Sequence, residues 1–166
     1  MTDTSVATQL VPYARLSALQ RQQVEAIEVH PAQKLFSGDI HGALHALGVA
    51  AGDAIQGFAL IADDIPVAFL LLKRPPFLPT WADEDSASLH ALQVDRRCQG
   101  QGYGKACLQA LPDAARRAWP QIKGLELSVD TDNQAALTLY RQQGWVDSGD
   151  AYRGRIGYER RMALAF

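Results

Sequence analysis

The amino-acid sequence predicts a mixed α/β domain in which helices flank a mostly antiparallel sheet. Apolar segments typical of strands alternate with segments whose apolar residues recur at helical spacing. The strand candidates are joined both by short turns, which make antiparallel pairs, and by a helical crossover, which makes a parallel pair. With 166 residues the chain has the length of one domain. We therefore expect residues 1–166 to form a single domain.

The first part of the chain predicts one strand and two short helices. Residues 7–14 are the strand candidate, and Ser17 with Gln20 forms a capping-box pattern for a helix that ends near Glu28. Residues 30–39 contain proline, serine, glycine and aspartate, which predict an irregular segment on the substrate side. A second short helix is expected at 40–47.

A hairpin and a long loop are predicted next. Residues 56–62 and 65–73 are apolar strand candidates, and Asp63-Asp64 between them is typical of a hairpin turn. Residues 74–87 hold three prolines, two aromatic residues and three acids, which predict a loop. Long loops in compact domains are often functional, but a simple surface connection fits as well.

The second half predicts a strand, helix, strand, helix series and then two strands. The strand candidate at 88–94 is followed by a helix from about Gly102 to Ala118, which we expect Pro112 to kink or shorten. Strict alternation in that strand predicts His90, Leu92 and Val94 on one face and Leu89, Ala91 and Gln93 on the other. The later candidates are a strand at 124–130, a helix at 133–144, and strands at 145–152 and 156–166.

Composition excludes several classes of function. Sixteen lysines and arginines against 18 aspartates and glutamates give a net charge of -2, so we expect no nucleic-acid partner. The sequence has neither a signal-peptide pattern at its start nor an apolar run long enough to span a bilayer, which predicts a cytoplasmic protein without a membrane partner. Cys98 and Cys107 lack zinc-ligand spacing and histidine partners, so we expect them to pack and no metal to bind.

A glycine-rich turn at 100–104 separates the strand candidate at 88–94 from the following helix. Gly100, Gly102 and Gly104 permit positive φ and allow a ligand to approach the backbone closely. The first amides of a helix have no acceptors within the helix, so they can donate hydrogen bonds to an anion. This pattern predicts a phosphate site, to which Gln99, Gln101 and Lys105 add donors.

Spacing distinguishes three kinds of phosphate motif. A Walker A loop fails, because Gln99 stands at its first glycine and Ala106 at its serine or threonine. A Rossmann turn fails, because Lys105 stands at its third glycine. The pattern QxxGxG, formed by Gln99, Gly102 and Gly104, remains.

A second segment, VDTDNQAALTLYRQQGW, follows about thirty residues later. In it Asn133 opens the helix, Tyr140 lies nearly two turns further on, and Gly144-Trp145 ends it. These two segments together resemble the Gcn5-related N-acetyltransferase (GNAT) superfamily. The resemblance covers about residues 15–164, and only 92–105 and 133–145 are specific.

The resemblance implies an acyl-CoA N-acyltransferase (GNAT) fold in which strands 88–94 and 124–130 splay apart to admit the pantetheine arm. It implies acetyl-CoA as co-substrate, no metal, and direct attack of a primary amine on the thioester. The implied cofactor-binding residues are Leu92, Gln93, Val94, Gln99, Gly100, Gln101, Gly102, Tyr103, Gly104, Lys105, Asn133 and Tyr140.

The resemblance also implies catalytic roles. Tyr140 would protonate the departing thiolate as general acid, and a backbone N–H near Val94 would polarise the thioester oxygen. His90 stands where many members have a glutamate base, and with a pKa near 6.5 it can serve as base. A hydrogen-bonded packing histidine on an apolar strand is the other interpretation. Glu126 and an ordered water chain are the alternatives.

The acceptor is expected to be a small-molecule or protein amine, and whether the acyl group is acetyl or longer stays open. Candidate groups for a cationic amine are Trp81, Asp83, Glu84, Asp85, Glu28 and Asp39. A possible homodimer is also predicted. A catalytically silent acyl-CoA-binding module and a nucleotide-phosphate binder are the alternative functions.

Overall fold

A computed structural model describes residues 7–49, 52–153 and 158–166, with only the backbone described at 150–153. Within these described ranges the α-helices are α1 (Ala18–Glu25), α2 (Pro31–Ser37), α3 (Ile40–Val49), α4 (Tyr103–Ala118) and α5 (Gln134–Gln142). The seven strands are β1 (Thr8–Pro12), β2 (Ile55–Ala62), β3 (Ile65–Lys73), β4 (Ser86–Val94), β5 (Gly124–Asp130), β6 (Val146–Arg153) and β7 (Tyr158–Ala165).

The strands form one seven-stranded sheet in the order β1-β2-β3-β4-β5-β7-β6. Every neighbouring pair is antiparallel except β4 and β5, which are parallel. Helix α4 is the crossover between those two strands. The predicted mixed α/β fold class is confirmed.

The parallel pair opens after three residues. Strands β4 and β5 pair only over 86–88 and 124–126, and the remaining residues of both strands have no register with each other. Because β3 and β7 hold the outer sides of the two strands, the opening is a gap within the sheet rather than an edge. The predicted splay is therefore present.

Helices cover both faces of the sheet and form two apolar cores. One core joins α4 and α5 to the sheet through residues such as Leu111, Leu137 and Leu127. The other joins α1 and α3 to the opposite face through Val24 and Ile40. We call these the α4 face and the α1 face. Burial of this apolar surface is the main stabilising contribution to the fold.

The capping box predicted at the start of α1 is present. Ser17 and Gln20 bond each other's backbone N–H through their side chains, both at 3.1 Å. The predicted hairpin turn is also present, since Asp63 and Asp64 both have positive φ, 51° and 63°. Helix α4 runs through Pro112 to Ala118, so the proline does not shorten it.

Residues 31–37 are helical, and the prediction of an irregular segment there was wrong. Pro31 is the first residue of α2, where a missing N–H costs nothing because that amide has no acceptor in the helix. The Gln33 side chain accepts a hydrogen bond from the His30 N–H at 3.2 Å. Gly38, at φ 72°, then ends the helix. A proline taken as a loop signal is instead a helix start.

A bulge in β4 overturns the predicted alternation of that strand. Ala91 has φ 58°, and the register with β3 shifts between the pairs Phe69–Gln93 and Leu71–His90. Because of the extra residue, the consecutive side chains of His90 and Ala91 lie on the same face of the sheet, so strict alternation is broken there. The residues on the α4 face are Leu89, Leu92 and Val94, and those on the α1 face are His90, Ala91 and Gln93.

Several strand boundaries differ from the predicted ones. Strand β1 ends at Pro12, because residues 13–15 form a 3-10 helix, while β2 begins one residue earlier than predicted and β6 is shifted by one residue. Strand β4 begins at Ser86, two residues before the predicted start, and its first pairs are those with β5. Strand β7 begins at Tyr158, and residues 156–157 of the predicted final strand lie outside the described residues.

Candidate functional site

A cleft with a volume of about 740 Å³ lies where β4 and β5 separate. The glycine turn, the start of α4 and one side of α5 line one half of it. Helix α2, the turn before α3 and the α1 face of the sheet line the other half. We call these the turn half and the acceptor half. The gap in the sheet joins the two halves.

The glycine turn has the geometry of an anion cradle. Gly100 and Gly102 have φ values of 80° and 82°, which favour glycine, and a Cβ on either would meet no atom within 4 Å. Gly102 is the N-cap of α4 and supplies no side chain to cap it. The amides of residues 103–105 therefore have no acceptor within the helix. The turn offers open space and free donors, which fits a pyrophosphate.

Gly104 serves a different purpose from the other two glycines. A Cβ there would lie 3.4 Å from Leu139 Cδ2, at the contact between α4 and α5. The absence of a side chain lets the two helices approach beside the cleft.

The side chain of Gln99 links three parts of the cleft wall. Its Nε2 donates to the Val94 carbonyl at 3.0 Å and to Gln33 Oε1 at 2.9 Å. Gln99 thereby ties the glycine turn to the end of β4 and to α2. Its amide group is engaged with protein atoms, so it supports the shape of the cleft.

Most of the residues predicted to bind the cofactor line the cleft. The lining residues among them are Leu92, Gln93, Val94, Gln99, Gly100, Gly102, Tyr103, Gly104, Asn133 and Tyr140. Gln101 and Lys105 do not line it, since they lie on the outer side of the turn and of the first helical turn.

Tyr140 reaches the turn half from α5. Asn133 begins this helix as its N-cap, accepting a hydrogen bond from the Ala136 N–H at 3.4 Å. The Tyr140 ring packs against Trp145 with 5.8 Å between centroids. Burial, and secondarily the Cys107 thiol, raises the pKa of Tyr140 to about 12. The hydroxyl is therefore protonated at neutral pH and can donate a proton.

His90 lies on the α1 face of β4, with Nε2 2.6 Å from Ser88 Oγ. Burial, and secondarily the positive charge of Lys73, lowers the pKa of His90 to about 3. The expectation of a pKa near 6.5 was wrong, because β4 carries this half-buried side chain into the cleft, where protein atoms replace most of its water. The imidazole is neutral throughout the physiological range and is a weak base.

Glu126, an alternative base, points away from the cleft. It is 5% exposed, its Oε2 accepts a hydrogen bond from the Asp83 N–H at 2.6 Å, and Oε1 lies 3.9 Å from Arg161 Nη2. It is not among the residues that line the cleft. Its hydrogen bond with Asp83 instead fastens the loop at 74–85 to the first residues of β5.

The acceptor half is built from segments that sequence analysis identified only in part. Six of the residues from 32 to 39 line it, including Asp39, as predicted for the segment at 30–40. No residue from 74–87 lines it, so the expectation that Trp81, Asp83, Glu84 and Asp85 face the acceptor was wrong. The Arg74 side chain bonds the carbonyls of residues 84 and 86 and holds this loop away.

Several polar residues of the acceptor half were not predicted from the sequence. They are Lys73, Ser128, Asp130 and Glu159. Alternation within 124–130 is a local signal for Ser128 and Asp130 facing away from the apolar core, because Leu127 and Val129 face it. No local signal identifies Glu159, since it reaches the cleft through pairing of β7 with β5.

The two cysteines are free, and neither is activated. Burial raises the pKa of the Cys107 thiol to about 12, and burial also raises that of Cys98. Among residues 7–49, 52–153 and 158–166, no three His, Cys, Asp or Glu side chains are grouped to hold a metal ion. No helix in the same ranges is long and apolar enough to cross a membrane.

A splayed parallel pair, a glycine turn opening a helix in the gap, and a tyrosine on the next helix define the acyl-CoA N-acyltransferase class of fold. The family model described as Acetyltransferase (GNAT) family matches residues 14–145. The chain belongs to this family, which confirms the resemblance found in the sequence.

One curated relative and two solved structures illustrate the similarity. The relative, N-alpha-acetyltransferase RimI of Mycobacterium tuberculosis (strain ATCC 25618 / H37Rv), is 32% identical over 117 residues, which are 70% of this chain and 56% of the relative. The chain thus spans little more than half of that relative's length.

The two structures are similar over almost the whole chain. The GNAT domain of S. lividans PAT has a TM-score of 0.70 at 16% identity, covering 96% of this chain and 90% of that one. The ribosomal-protein-S18-alanine N-acetyltransferase from Escherichia coli has a TM-score of 0.62 at 21% identity, covering 96% and 94%. At these identities the similarity concerns the fold.

Proposed function

We propose that the protein is an acetyl-CoA-dependent N-acetyltransferase that transfers the acetyl group directly to a primary amine of a small molecule or a protein. The observation that carries this proposal is the gap between β4 and β5, which joins a free anion cradle to a second polar half of one cleft. A ligand with a pyrophosphate and an extended arm fits the turn half. An amine can then approach through the acceptor half.

The backbone supplies most of the proposed binding. The free amides of residues 103–105 donate to the pyrophosphate, and positive φ at Gly100 and Gly102 keeps side chains out of its way. Beyond residue 88, β4 has no strand on its β5 side, so its N–H and C=O groups are open to an extended arm. Asn133 shapes the start of α5 beside that arm.

The proposed reaction needs no covalent enzyme intermediate. Holding the amine and the thioester in one cleft supplies much of the acceleration. A backbone N–H near Val94 polarises the thioester oxygen, and Tyr140 donates its hydroxyl proton to the sulfur as the C–S bond breaks. His90, being neutral, contributes a hydrogen-bonding group to the acceptor half.

Release of CoA tests the proposal. The protein is incubated with acetyl-CoA and, separately, spermidine, kanamycin, free amino acids and a peptide that starts with alanine, while free thiol and acetylated amine are measured. We expect turnover with at least one acceptor. Tyr140→Phe should lower kcat by about 100-fold, since proton donation contributes about 10²- to 10⁴-fold. The Kd of CoA should change much less than kcat, because the phenylalanine keeps the aromatic ring in the cleft wall.

The opposite result identifies the alternative function. Binding of acetyl-CoA without thiol release for any acceptor, and with no effect of Tyr140→Phe, would mean a catalytically silent acyl-CoA-binding module. Location in the cytoplasm, absence of nucleic-acid binding and a possible homodimer stay predictions of the sequence.

A further inference from the structure

Glu159 is a carboxylate of the acceptor half that comes from a strand far along the chain. Strand β7 pairs with β5 so that Glu159 lies opposite Asp130. Ser128 Oγ donates a hydrogen bond to Glu159 Oε1 at 3.3 Å. All three residues line the cleft. Pairing with β5 thus places the Glu159 carboxylate beside the gap in the sheet.

Glu159 and Tyr140 reach the cleft from opposite faces of the sheet. Leu127 and Val129 face the α4 core, so Ser128 and its hydrogen-bond partner Glu159 lie on the α1 face. Tyr140 packs against the α4 core. A base on the α1 face and an acid on the α4 face can therefore act on the amine and on the departing sulfur without competing for the same space.

The other carboxylates near Glu159 are less accessible or accept a backbone hydrogen bond. Asp130 is 6% exposed; its Oδ1 accepts the Asp132 N–H at 2.8 Å, and its Oδ2 is buried without a hydrogen-bond partner, out of reach of an acceptor in solution. Asp39, across the cleft, accepts the Gly42 N–H at 2.8 Å.

The remaining charged or titratable neighbours do not offer a carboxylate to the cleft. On the same face Glu126 lies near Arg161, His90 is neutral, and Lys73 on β3 is a cation. On β6, Asp147 binds Arg160, 2.9 Å away. Glu159 is partly exposed and has a hydroxyl as its hydrogen-bond partner.

We propose that Glu159 is the general base of the transfer, accepting a proton from the ammonium group of the acceptor. This inference rests on the proposed function. Loss of that proton leaves a neutral amine, whose lone pair forms the N–C bond to the thioester carbon while the C=O π electrons move to oxygen. The C–S bond then breaks as the carbonyl re-forms, and the sulfur takes the Tyr140 proton. Tyr140 recovers a proton from the new amide nitrogen, and Glu159 releases its proton to solvent.

The pH dependence of Glu159→Gln tests this assignment. A carboxylate base lets the enzyme use the bound ammonium form, so kcat/KM of the wild type should be nearly level between pH 6.5 and 8.5. The variant can react only with the fraction of acceptor molecules whose amine is already neutral. For spermidine, with an amine pKa near that of lysine at about 10.4, its kcat/KM should rise about tenfold per pH unit and fall about 10²- to 10⁴-fold below wild type at pH 7.

Acceptor basicity gives a second readout. A peptide α-amine has a pKa of about 7.7 to 8.0, so far more of it is neutral at pH 7 than of a lysine-like amine. The defect of Glu159→Gln should therefore be about 200- to 400-fold smaller with an alanine-starting peptide than with spermidine at pH 7. Glu159→Asp should keep the level pH profile at a reduced rate. Glu25→Gln, on the exposed end of α1, is the matched control and should behave as wild type.

The outcomes separate this inference from the proposed function. A wild type that acetylates no probe overturns both. An active wild type whose Glu159→Gln variant keeps the rate, or loses it equally at every pH, overturns the base assignment and leaves the proposed function intact. The CoA-induced thermal shift of each variant shows that it is folded. If Glu159→Gln is not folded, the pH profile of Glu159→Asp tests the base assignment in its place.

Discussion

The half-buried imidazole of His90 makes stability depend on pH. In the folded protein its pKa is lowered to about 3, whereas an unfolded histidine titrates near 6.5. The unfolded state therefore binds the proton first. The contribution of the neutral ring to the free energy of unfolding is complete above pH 6.5. As the pH falls from 6.5 toward 3, the free energy of unfolding decreases by up to about 1.4 kcal/mol per pH unit.

Replacing His90 should remove this dependence. Between pH 8 and 4, the free energy of unfolding of His90→Gln, measured in urea, should fall less steeply below pH 6.5 than that of the wild type. The wild-type His90 resonances in an NMR titration should stay at their neutral positions down to about pH 4. A resonance shift with a midpoint near 6.5 would contradict the burial of this side chain.

At the scale of elements, the pairing of β5 with β7 depends on Gly124. A Cβ at this position would lie 2.6 Å from the Leu164 carbonyl oxygen, which is a backbone atom of the paired strand. Neither strand can move away from this contact without breaking the pairing of β5 with β7, which places Glu159 at the cleft. Gly124→Ala should lower the free energy of unfolding by about 1 to 3 kcal/mol.

Gly48 in α3 is the matched control for this substitution. An added Cβ there meets no atom within 4 Å. Alanine in a helix is favoured over glycine by up to about 1 kcal/mol, so Gly48→Ala should leave stability unchanged or raise it. Urea unfolding midpoints measure both. Equal midpoints for Gly124→Ala and wild type would show that the strands can separate without cost.

At the scale of the whole molecule, a ligand of the glycine turn should stabilise the folded state. CoA at about 100 times its Kd adds about 2.7 kcal/mol. That corresponds to a rise in Tm of about 5 to 10 °C for a domain of this size. ATP at equal concentration should give no comparable shift, because it lacks the pantetheine arm that the gap between β4 and β5 receives.

Gly102→Ala should abolish most of that shift, with Gly52→Ala as control. Their φ values, 82° and 78°, impose similar strain on an alanine, and only Gly102 lines the cleft. Differential scanning fluorimetry with and without CoA separates intrinsic stability from binding. An unchanged CoA shift in Gly102→Ala would place the pyrophosphate elsewhere.

Local requirements explain what was predictable from the sequence. Gly100 and Gly102 are needed because the turn adopts positive φ, and that need is visible in a few adjacent residues. The cap at Asn133 and the tyrosine on the same helix are likewise local. The order of strands and helices along the chain was enough to predict a mixed sheet, because a helical crossover between two strands specifies a parallel pair.

Features missed by sequence analysis depend on neighbours distant in the chain. Positive φ at Ala91 has no local signal, because alanine does not favour it and pairing with β3 imposes it. Proline is common both in loops and at the first position of helices. The packing of α2 beside β4 determines that Pro31 begins a helix here.

The sequence by itself determined the fold class and the anion cradle, since both follow from backbone preferences and periodicity over short stretches. Only the tertiary structure decided which ionisable side chains share the cleft and with what pKa. It neutralised His90 by burial, turned Glu126 toward the loop, and brought Glu159 to the gap through the register of β7 on β5. Desolvation and cross-strand contact arise from residues far apart in the chain, so no local pattern encodes them.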